Sequence, residues 1–418
     1  MAAPRSRPRA RAKAPPRARP GPRLRAPGDS RFATRGQPVA LAAVERMIVA
    51  GAPQALLLVG PASVGKTTLA LDLAAGLLCH AGDAALRPCG ACRSCRLVDA
   101  GEHQDLHRLA PDGPGRQVRI GDPEDPEPGT VRHLIRELAR LPVEGARRVA
   151  VVEGAHRMNE DAQNALLRTL EEPPPGATLI LCADEPERLL PTVRSRAAVL
   201  RLGPAGTRAI EALLADHGVE PPRSARLARL ADGRPGAALA LAAAPEAVAA
   251  REELGRALLD LAASGTADRL VAARDLLARA ADLARLGGIA GDPPPAPASP
   301  EDGAVPDAAG EPAEARPARG TPAERRQAAA ALLATWTAVT RDLAVAAAGS
   351  GAAIRDPALL DDLATTAATI SPGSAVAFLG RLAEAAELLD ANANPELLVD
   401  VLVLAGPRAA NPGTGAPP

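Results

Sequence analysis

One segment constrains the fold of this chain more than any other. Residues 60–67, Gly-Pro-Ala-Ser-Val-Gly-Lys-Thr, fit the pattern GxxxxGK[ST] of a phosphate-binding loop. An apolar run of strand length, 55–59, precedes the loop, and helical spacing follows it over 67–78. The motif requires this order of strand, glycine loop and helix, because backbone N–H groups at the start of the helix hold phosphate oxygens. A glycine turn without a ligand is the alternative interpretation.

The basic residue of the loop supports a phosphate site. Apart from Lys13, Lys66 is the only lysine in a chain that otherwise uses arginine. A compact ammonium curls over phosphate groups more readily than a planar guanidinium does. The residues predicted to contact a nucleotide are Gly60, Pro61, Ala62, Ser63, Val64, Gly65, Lys66, Thr67, Thr68 and, further along the chain, Glu153.

Alternating patterns predict an α/β domain with a parallel sheet and helices on both faces. Apolar runs predict strands at 55–59, 149–152, 178–182 and 198–202. Between them, Val131, Leu134, Ile135, Leu138 and Leu141 form one helical stripe. Helices are predicted at 39–48, 67–78 and 159–172, the last with Asn159 as its N-cap. Pro111 to Gly129 is predicted to be a surface loop.

The second half of the sequence predicts helices only. Helical spacing occurs at 206–216, 222–231, 235–243, 246–263, 267–286 and 323–404. Aromatic residues make up 1% of the chain and tyrosine is absent, so its cores consist of Ala, Leu and Val, which favours closely packed helices.

Composition predicts three segments without a core of their own. Residues 1–36 form a basic tail with no acid before Asp29, and its prolines disfavour the amphipathic helix of a transit peptide. A disordered tail is favoured over a polyanion-binding arm or a targeting segment. Residues 288–323 are rich in Pro, Gly, Ala and acids, and are predicted to be a disordered insertion, like the tail at 409–418.

Four of the five cysteines form a cluster. Cys79, Cys89, Cys92 and Cys95 include two Cys-x-x-Cys intervals, the spacing at which four thiolates close a tetrahedron around zinc. Four sulfur ligands leave no position for an activated water, so the metal would be structural. An iron–sulfur cluster would need a further cysteine near position 99, and unliganded or redox-active thiols are the other alternative. His103 is expected to form a hydrogen bond at the start of the next strand rather than to bind the metal.

The sequence also carries information on the cellular compartment. No signal peptide and no apolar run of about 18 residues is recognised in the sequence. We therefore expect a cytoplasmic protein without a membrane segment. Cys182, in a predicted strand, is expected to be a small apolar residue of the core.

Taken together, the motifs resemble one family. The phosphate loop, the cysteine module, the segment 164–174 (NALLRTLEEPP) and the segment 191–196 (PTVRSR) occur in an order similar to that in bacterial DNA polymerase III clamp-loader subunits of the AAA+ class. The resemblance covers roughly residues 37–245. It implies the following domains: a nucleotide-binding domain at 37–203 with a zinc module at 79–105, a helical lid at 204–248 and a helical collar at 249–408.

Departures from the family pattern separate two kinds of subunit. In the ATP-hydrolysing gamma/tau motor, an Asp-Glu pair follows the second strand, where this chain has Glu153 and Gly154. The threonine that senses the γ-phosphate is replaced by Asp184, an acid expected to repel phosphate, and an arginine of the lid by Gly236. Arg234 lies two residues away and is not assumed to compensate. With the Gly-x-His-x-Asp at 101–105, these differences favour a delta-prime-type subunit that binds ATP or ADP with Mg²⁺ but hydrolyses it poorly or not at all.

One functional arginine is retained. The resemblance implies that Arg196, after Ser195, is an arginine finger that stabilises charge on the γ-phosphate of a neighbouring subunit. Arg194 is a second candidate, and a solvated surface charge is the alternative. The implied partners are gamma/tau and delta subunits and, through the complex, the sliding clamp and primer-template DNA. A gamma/tau-like motor and a zinc-containing P-loop kinase remain alternative functions.

Overall fold

The computed structural model describes residues 31–112, 117–145, 147–286 and 321–408. Their contacts divide the chain into two compact units. The N-terminal unit contains residues 31–34, 39–59 and 66–201 of the described part, and the C-terminal unit contains 35–38, 60–65 and the described residues from 202 onward. The predicted basic tail (except 31–36), most of the predicted insertion and the tail at 409–418 lie outside the described residues.

The N-terminal unit is built on a parallel sheet of five strands. The strands are β1 (Ala55–Val59), β2 (Leu106–Leu109), β3 (Arg148–Val152), β4 (Ala177–Ala183) and β5 (Ala198–Arg201), in the order β2-β3-β4-β1-β5. All neighbouring pairs are parallel, which confirms the predicted sheet. The three central strands are buried along their whole length, as in a sheet covered on both faces. The strand β2 was not among the four predicted.

In the described part of this unit, six α-helices accompany the sheet. They are α1 (Pro38–Ala50), α2 (Lys66–Leu78), α3 (Arg93–Ala100), α4 (Val131–Leu138), α5 (Glu160–Glu171) and α6 (Pro191–Arg194). The side chain of Asn159 accepts a hydrogen bond from the N–H of Ala162, which confirms it as the N-cap of α5. The largest core of this unit packs α4 and α5 against the sheet.

Two predictions for this unit were wrong in detail. The helix α4 ends at Leu138, and Leu141, assigned to its apolar stripe, is 87% exposed. Leu141 precedes Pro142, and a proline disfavours helical backbone in the residue before it. The segment predicted as a surface loop is partly internal, because Val118 is buried and bridges to Met158.

The described part of the C-terminal unit is entirely helical, as predicted. Its helices are α7 (Thr207–Asp216), α8 (Arg223–Leu230), α9 (Pro235–Ala243), α10 (Pro245–Asp260), α11 (Thr266–Arg285), α12 (Pro322–Ala347), α13 (Leu360–Ala367), α14 (Pro372–Asp390) and α15 (Pro395–Ala405). One apolar cluster lies within α7 to α9 and others lie within α10 to α15. The predicted boundary at 248/249 falls inside α10.

Two arginines, one half-buried and one buried, join the helices of this unit. Arg226 of α8 pairs with Glu252 of α10 at 2.8 Å and with Asp356, before α13, at 3.2 Å. Arg269 of α11 is fully buried and donates to the carbonyl oxygens of Val403 and Gly406, both at 3.1 Å. These bonds satisfy carbonyls at the end of α15, which a helix leaves without internal partners.

The described helices were also compared with the requirements for crossing a membrane. None of them is by itself long and apolar enough. Only the pair 357–367 and 372–390, bent by 119°, meets the length and composition criteria when the two are combined.

Candidate nucleotide and metal sites

The backbone of the phosphate loop needs both of its motif glycines. The loop joins the end of β1 to the start of α2, as the motif requires. Gly60 and Gly65 have φ angles of 155° and 105°, in the region that favours glycine. A Cβ on Gly60 would also collide with the carbonyl oxygen of Leu202. The backbone of the loop therefore has a specific conformation that requires glycine at positions 60 and 65.

Lys66 already has an anionic partner. Its Nζ lies 2.7 Å from Oδ1 of Asp184, the residue after β4, and the Lys66 side chain is only 6% exposed. The Nδ1 of His156 accepts the N–H of Asp184 at 3.2 Å, and burial lowers the pKa of His156, which favours the neutral ring. Asp184, the acid expected to repel phosphate, therefore also forms an ion pair with the Lys66 ammonium. A phosphate group would have to displace that carboxylate.

The residues after β3 are also held by the protein itself. Oε1 of Glu153 accepts hydrogen bonds from Arg108 of β2, at 2.6 Å from Nη2 and 3.1 Å from Nε. Gly154 has a φ angle of 58°, and a Cβ there would approach Cγ of Pro111 to 2.9 Å. A glutamate at this position would be strained and crowded. The absence of a water-polarising side chain is consequently built into the backbone. The role of Arg108 was not predicted, because it depends on the pairing of β2 with β3.

Within the C-terminal unit, α9 begins against the phosphate loop. The N–H of Gly236 donates to the carbonyl of Ser63 at 2.9 Å, and a Cβ on Gly236 would lie 3.1 Å from that oxygen. A larger residue here would push the loop and helix apart. Arg234 donates through Nε to the carbonyl of Ala231 at 3.1 Å, at the end of α8.

Arg196, the predicted finger, lies on the surface of the N-terminal unit. Its Nη2 is 2.6 Å from Oε1 of Glu171, at the end of α5, and its Nη1 donates to the carbonyl of Thr192 at 3.0 Å. The side chains of Arg196 and Glu171 are 36% and 50% exposed. Arg194 and Ser195 are exposed as well. The carboxylate of Glu171 orients the guanidinium.

The four clustered cysteines lie together, as predicted. Their Sγ atoms are all within 4.8 Å of one another, and those of Cys79 and Cys92 are 3.9 Å apart. Zn–S bonds of about 2.3 Å in a tetrahedron place sulfurs about 3.8 Å apart, so the geometry suits a metal ion. Cys79 follows α2, Cys92 caps α3 and Cys95 lies inside α3.

Backbone N–H groups prepare these sulfurs for a metal. Cys92 N–H donates to Sγ of Cys89 at 3.4 Å, the largest cause of a pKa of about 6 for Cys89. The N–H of Cys95 donates similarly to Cys92, whose pKa is lowered although burial opposes the change. Burial raises the pKa values of Cys79 and Cys95, which a bound cation would offset. The residues thus fit a tetrahedral metal site.

His103 lies outside the sulfur cluster. Its Nδ1 accepts the N–H of Asp105 at 3.1 Å, immediately before β2, which confirms the expected hydrogen bond. The carboxylate of Asp105 in turn accepts the N–H groups of Val143 and Glu144 at 2.7 and 2.8 Å. Cys182 is buried in β4, also as predicted.

Comparison with known proteins shows what part of the chain is similar to. Residues 36–206 match the family model described as DNA polymerase III, delta subunit. The chain is 41% identical over 142 residues to DNA polymerase III subunit delta' of Pseudomonas aeruginosa, covering 34% of this chain and 40% of that protein. It is 32% identical over 185 residues to subunit tau of Escherichia coli, covering 43% of this chain and 27% of that protein.

A solved structure is also similar. It is a gamma subunit-related protein of DNA polymerase III from Thermotoga maritima, with a TM-score of 0.39 and 17% identity, covering 87% of this chain and 97% of that one. The chain spans less than half the length of each of the two curated relatives cited above. Residues 36–206 are therefore similar to the family described as DNA polymerase III, delta subunit, and parts of the chain are similar to delta' and tau subunits.

Proposed function

We propose that this protein is a delta'-type subunit of a DNA polymerase III clamp loader of the AAA+ class, acting in the cytoplasm. It would support the ATP-driven opening of the sliding clamp and its placement on primed DNA. The proposed partners are gamma/tau and delta subunits, with the clamp and primer-template DNA reached through the complex. One contrast carries the proposal: Arg196 is exposed at the surface, whereas Lys66 of the phosphate loop is neutralised internally by Asp184.

The proposed role in catalysis is to donate Arg196 to a neighbouring subunit. A guanidinium placed on developing γ-phosphate charge is worth roughly 10³- to 10⁵-fold in rate. Arg196 is held by Glu171 through an exposed ion pair, and such pairs contribute only about 0–1 kcal/mol. A phosphate can therefore capture the arginine at little cost.

Hydrolysis by this chain alone is proposed to be weak or absent. ATP or ADP would have to displace the Asp184 carboxylate from Lys66. Glu153 would have to leave Arg108 before its carboxylate could approach a bound Mg²⁺. The residue that follows Glu153 is glycine, which offers no group to orient water.

Zinc is the metal that we propose for the cysteine cluster. Four thiolates in a tetrahedron are typical of structural zinc sites. Bound zinc would hold the end of α2 to α3 and so stabilise the module 79–105. The proposed lid (204–248) and collar (249–408) complete the organisation by analogy with the family.

A gamma/tau-like motor is the second candidate, because the phosphate loop is intact and the similarity to tau extends over 185 residues. The two candidates differ in what Arg196 and Lys66 do. A motor needs Lys66 for its own turnover, whereas a delta'-type subunit needs Arg196 for the turnover of its partner.

The test is reconstitution with a gamma/tau subunit, a delta subunit, clamp and primed DNA. Arg196→Ala should lower the DNA-stimulated ATPase activity of the assembly at least tenfold without preventing assembly, as judged by size-exclusion chromatography. Arg201→Ala, which removes another exposed arginine of the N-terminal unit, is the matched control and should leave the rate within twofold. Strong ATPase activity of the isolated chain, or an unaffected Arg196→Ala assembly, would refute the proposal.

A further inference from the structure

A cleft with several charged residues in its lining lies within the C-terminal unit. Its volume is about 740 Å³, and it is bordered by parts of α10, α12 and α14, by Pro204 and residues between 230 and 234, and at one end by Pro61 of the phosphate loop. The residues on its apolar wall include Ala330, Leu333, Ala334 and Leu379. Clefts of this volume are typical of small-molecule sites, which combine an apolar wall with a few polar groups.

The polar side chains of the cleft are mainly cationic. Four arginines line it, against two aspartates: Arg234, Arg251, Arg341 and Arg355 against Asp232 and Asp390. Guanidinium groups suit phosphate and carboxylate oxygens, because their fixed donors can form two parallel hydrogen bonds. The cleft thus presents a surplus of anion-binding groups.

The four arginines differ in their internal partners. Arg355 pairs with Asp232 at 2.7 Å, and Arg341 pairs with Asp342 at 2.6 Å. Within the described part of the chain, the side chain of Arg251 forms no hydrogen bond or ion pair. Its donors are available to a ligand, whereas Arg234 uses its Nε to bind the carbonyl of Ala231.

The environment of Arg251 makes its lone charge costly. Burial lowers the pKa of Arg251; the nearby charges of Asp356 and Asp342 oppose this change, and those of Arg234 and Arg355 add to it. A guanidinium nevertheless stays protonated in proteins, so the charge of the half-buried Arg251 side chain remains partly desolvated. A bound oxyanion would offset that cost.

We propose that this cleft binds a phosphate-bearing small molecule of nucleotide size, with Arg251 as its principal anchor and Arg234, Arg341 and Arg355 around it. The apolar wall formed by α12 and α14 receives the uncharged part of the ligand. A concave site with two aspartates on its lining suits a compact ligand better than the backbone of duplex DNA, whose phosphates need a continuous basic stripe.

The phosphate loop could bind the same probes, so the experiment removes its contribution. Calorimetric titrations with ADP and with inorganic pyrophosphate use the full chain carrying Lys66→Ala. Binding at one site per chain should remain, and adding Arg251→Gln should weaken it at least tenfold. The control is Arg274→Gln, which removes an exposed arginine of α11 and should change the affinity less than twofold.

A spectroscopic measurement on the wild-type chain covers the case in which Lys66→Ala does not fold. Trp336 is the only tryptophan, tyrosine is absent, and its neighbour Thr337 lines the cleft. Pyrophosphate should change the Trp336 fluorescence in the wild type, and Arg251→Gln should abolish the change.

Four results would overturn the proposal. The first is that ADP and pyrophosphate do not bind the Lys66→Ala chain and that Trp336 of the wild type does not respond to pyrophosphate. The others are binding that survives Arg251→Gln, equal binding of adenosine, which has no phosphate, and binding of a DNA oligonucleotide alone. Arg251→Gln should leave the unfolding temperature unchanged or raise it, because no internal bond is lost. A marked fall in that temperature would assign Arg251 a structural role instead.

Discussion

Replacing Asp184 with asparagine should strengthen nucleotide binding, although the residue borders the phosphate loop. The carboxylate lies 2.7 Å from Nζ of Lys66 and competes with any phosphate for that ammonium. Asparagine keeps the shape of the side chain and removes its charge. The Asp184→Asn chain should therefore bind ADP more tightly than the wild type.

The magnitude follows from the contact that the ligand no longer has to break. A hydrogen bond to a charged group contributes about 1.5–3 kcal/mol, which corresponds to roughly ten- to hundredfold in affinity. We expect the lower half of that range, because the Asp184 side chain is 30% exposed and water weakens the pair. The free protein should become less stable, since Lys66, 6% exposed, loses its counter-charge.

Isothermal titration with ADP and thermal unfolding with and without ADP measure both effects. Glu187→Gln removes an exposed acid three residues along the chain and is the matched control, with an expected change below twofold. If Asp184→Asn left the ADP affinity unchanged or weakened it, the carboxylate would not be a competitor of phosphate. The proposed explanation for poor nucleotide use would then be wrong.

Two further predictions concern the metal and the lid. Cys95→Ser should reduce the zinc content, measured by atomic absorption, from one ion per chain to near zero. A chelator should then no longer lower the unfolding temperature of this variant. The control Cys182→Ala should retain its zinc. Gly236→Ala should cost up to about 1 kcal/mol in chemical denaturation, because its Cβ would lie 3.1 Å from the backbone oxygen of Ser63, which already accepts the Gly236 N–H and has little room to move. Gly380→Ala, in a helical position with nothing within 4 Å, should instead stabilise by up to about 1 kcal/mol. Equal effects of the two glycine substitutions would contradict the described contact.

The sequence predicted the central strands well because they are buried from end to end. The segment 55–59 is an unbroken apolar run, and the strand β1 has those bounds. β2 gave no such signal: in Leu-His-Arg-Leu only the two leucines are buried, so neither an apolar run nor a strict alternation appears. Leu141 shows the opposite error. Its spacing fits the apolar stripe of α4, but the helix ends at Leu138 and Pro142 disfavours helical backbone at Leu141.

The candidate sites divide in the same way between local and distant information. The cysteines are close in sequence, so their spacing alone predicted the cluster. The pairing of Lys66 with Asp184 depends on β1 lying beside β4, and parallel strands bring their carboxyl ends to one edge of the sheet. That strand order cannot be obtained from the spacing of residues along one chain. The partner of Arg196, at the end of α5, was hidden for the same reason.

The two ion pairs at the functional residues differ in a way that matches the proposed division of labour. Lys66 and Asp184 are 6% and 30% exposed, whereas Arg196 and Glu171 are 36% and 50% exposed. Breaking the first pair strands a buried ammonium, which is costly, whereas the second exchanges its partner at little cost because water already solvates both groups. The internal carboxylate substitutes for a nucleotide, so the loop is neutralised without a ligand. On the proposed function, the exposed arginine would keep its charge available to another subunit, and the neutralised phosphate loop would disfavour hydrolysis in this chain.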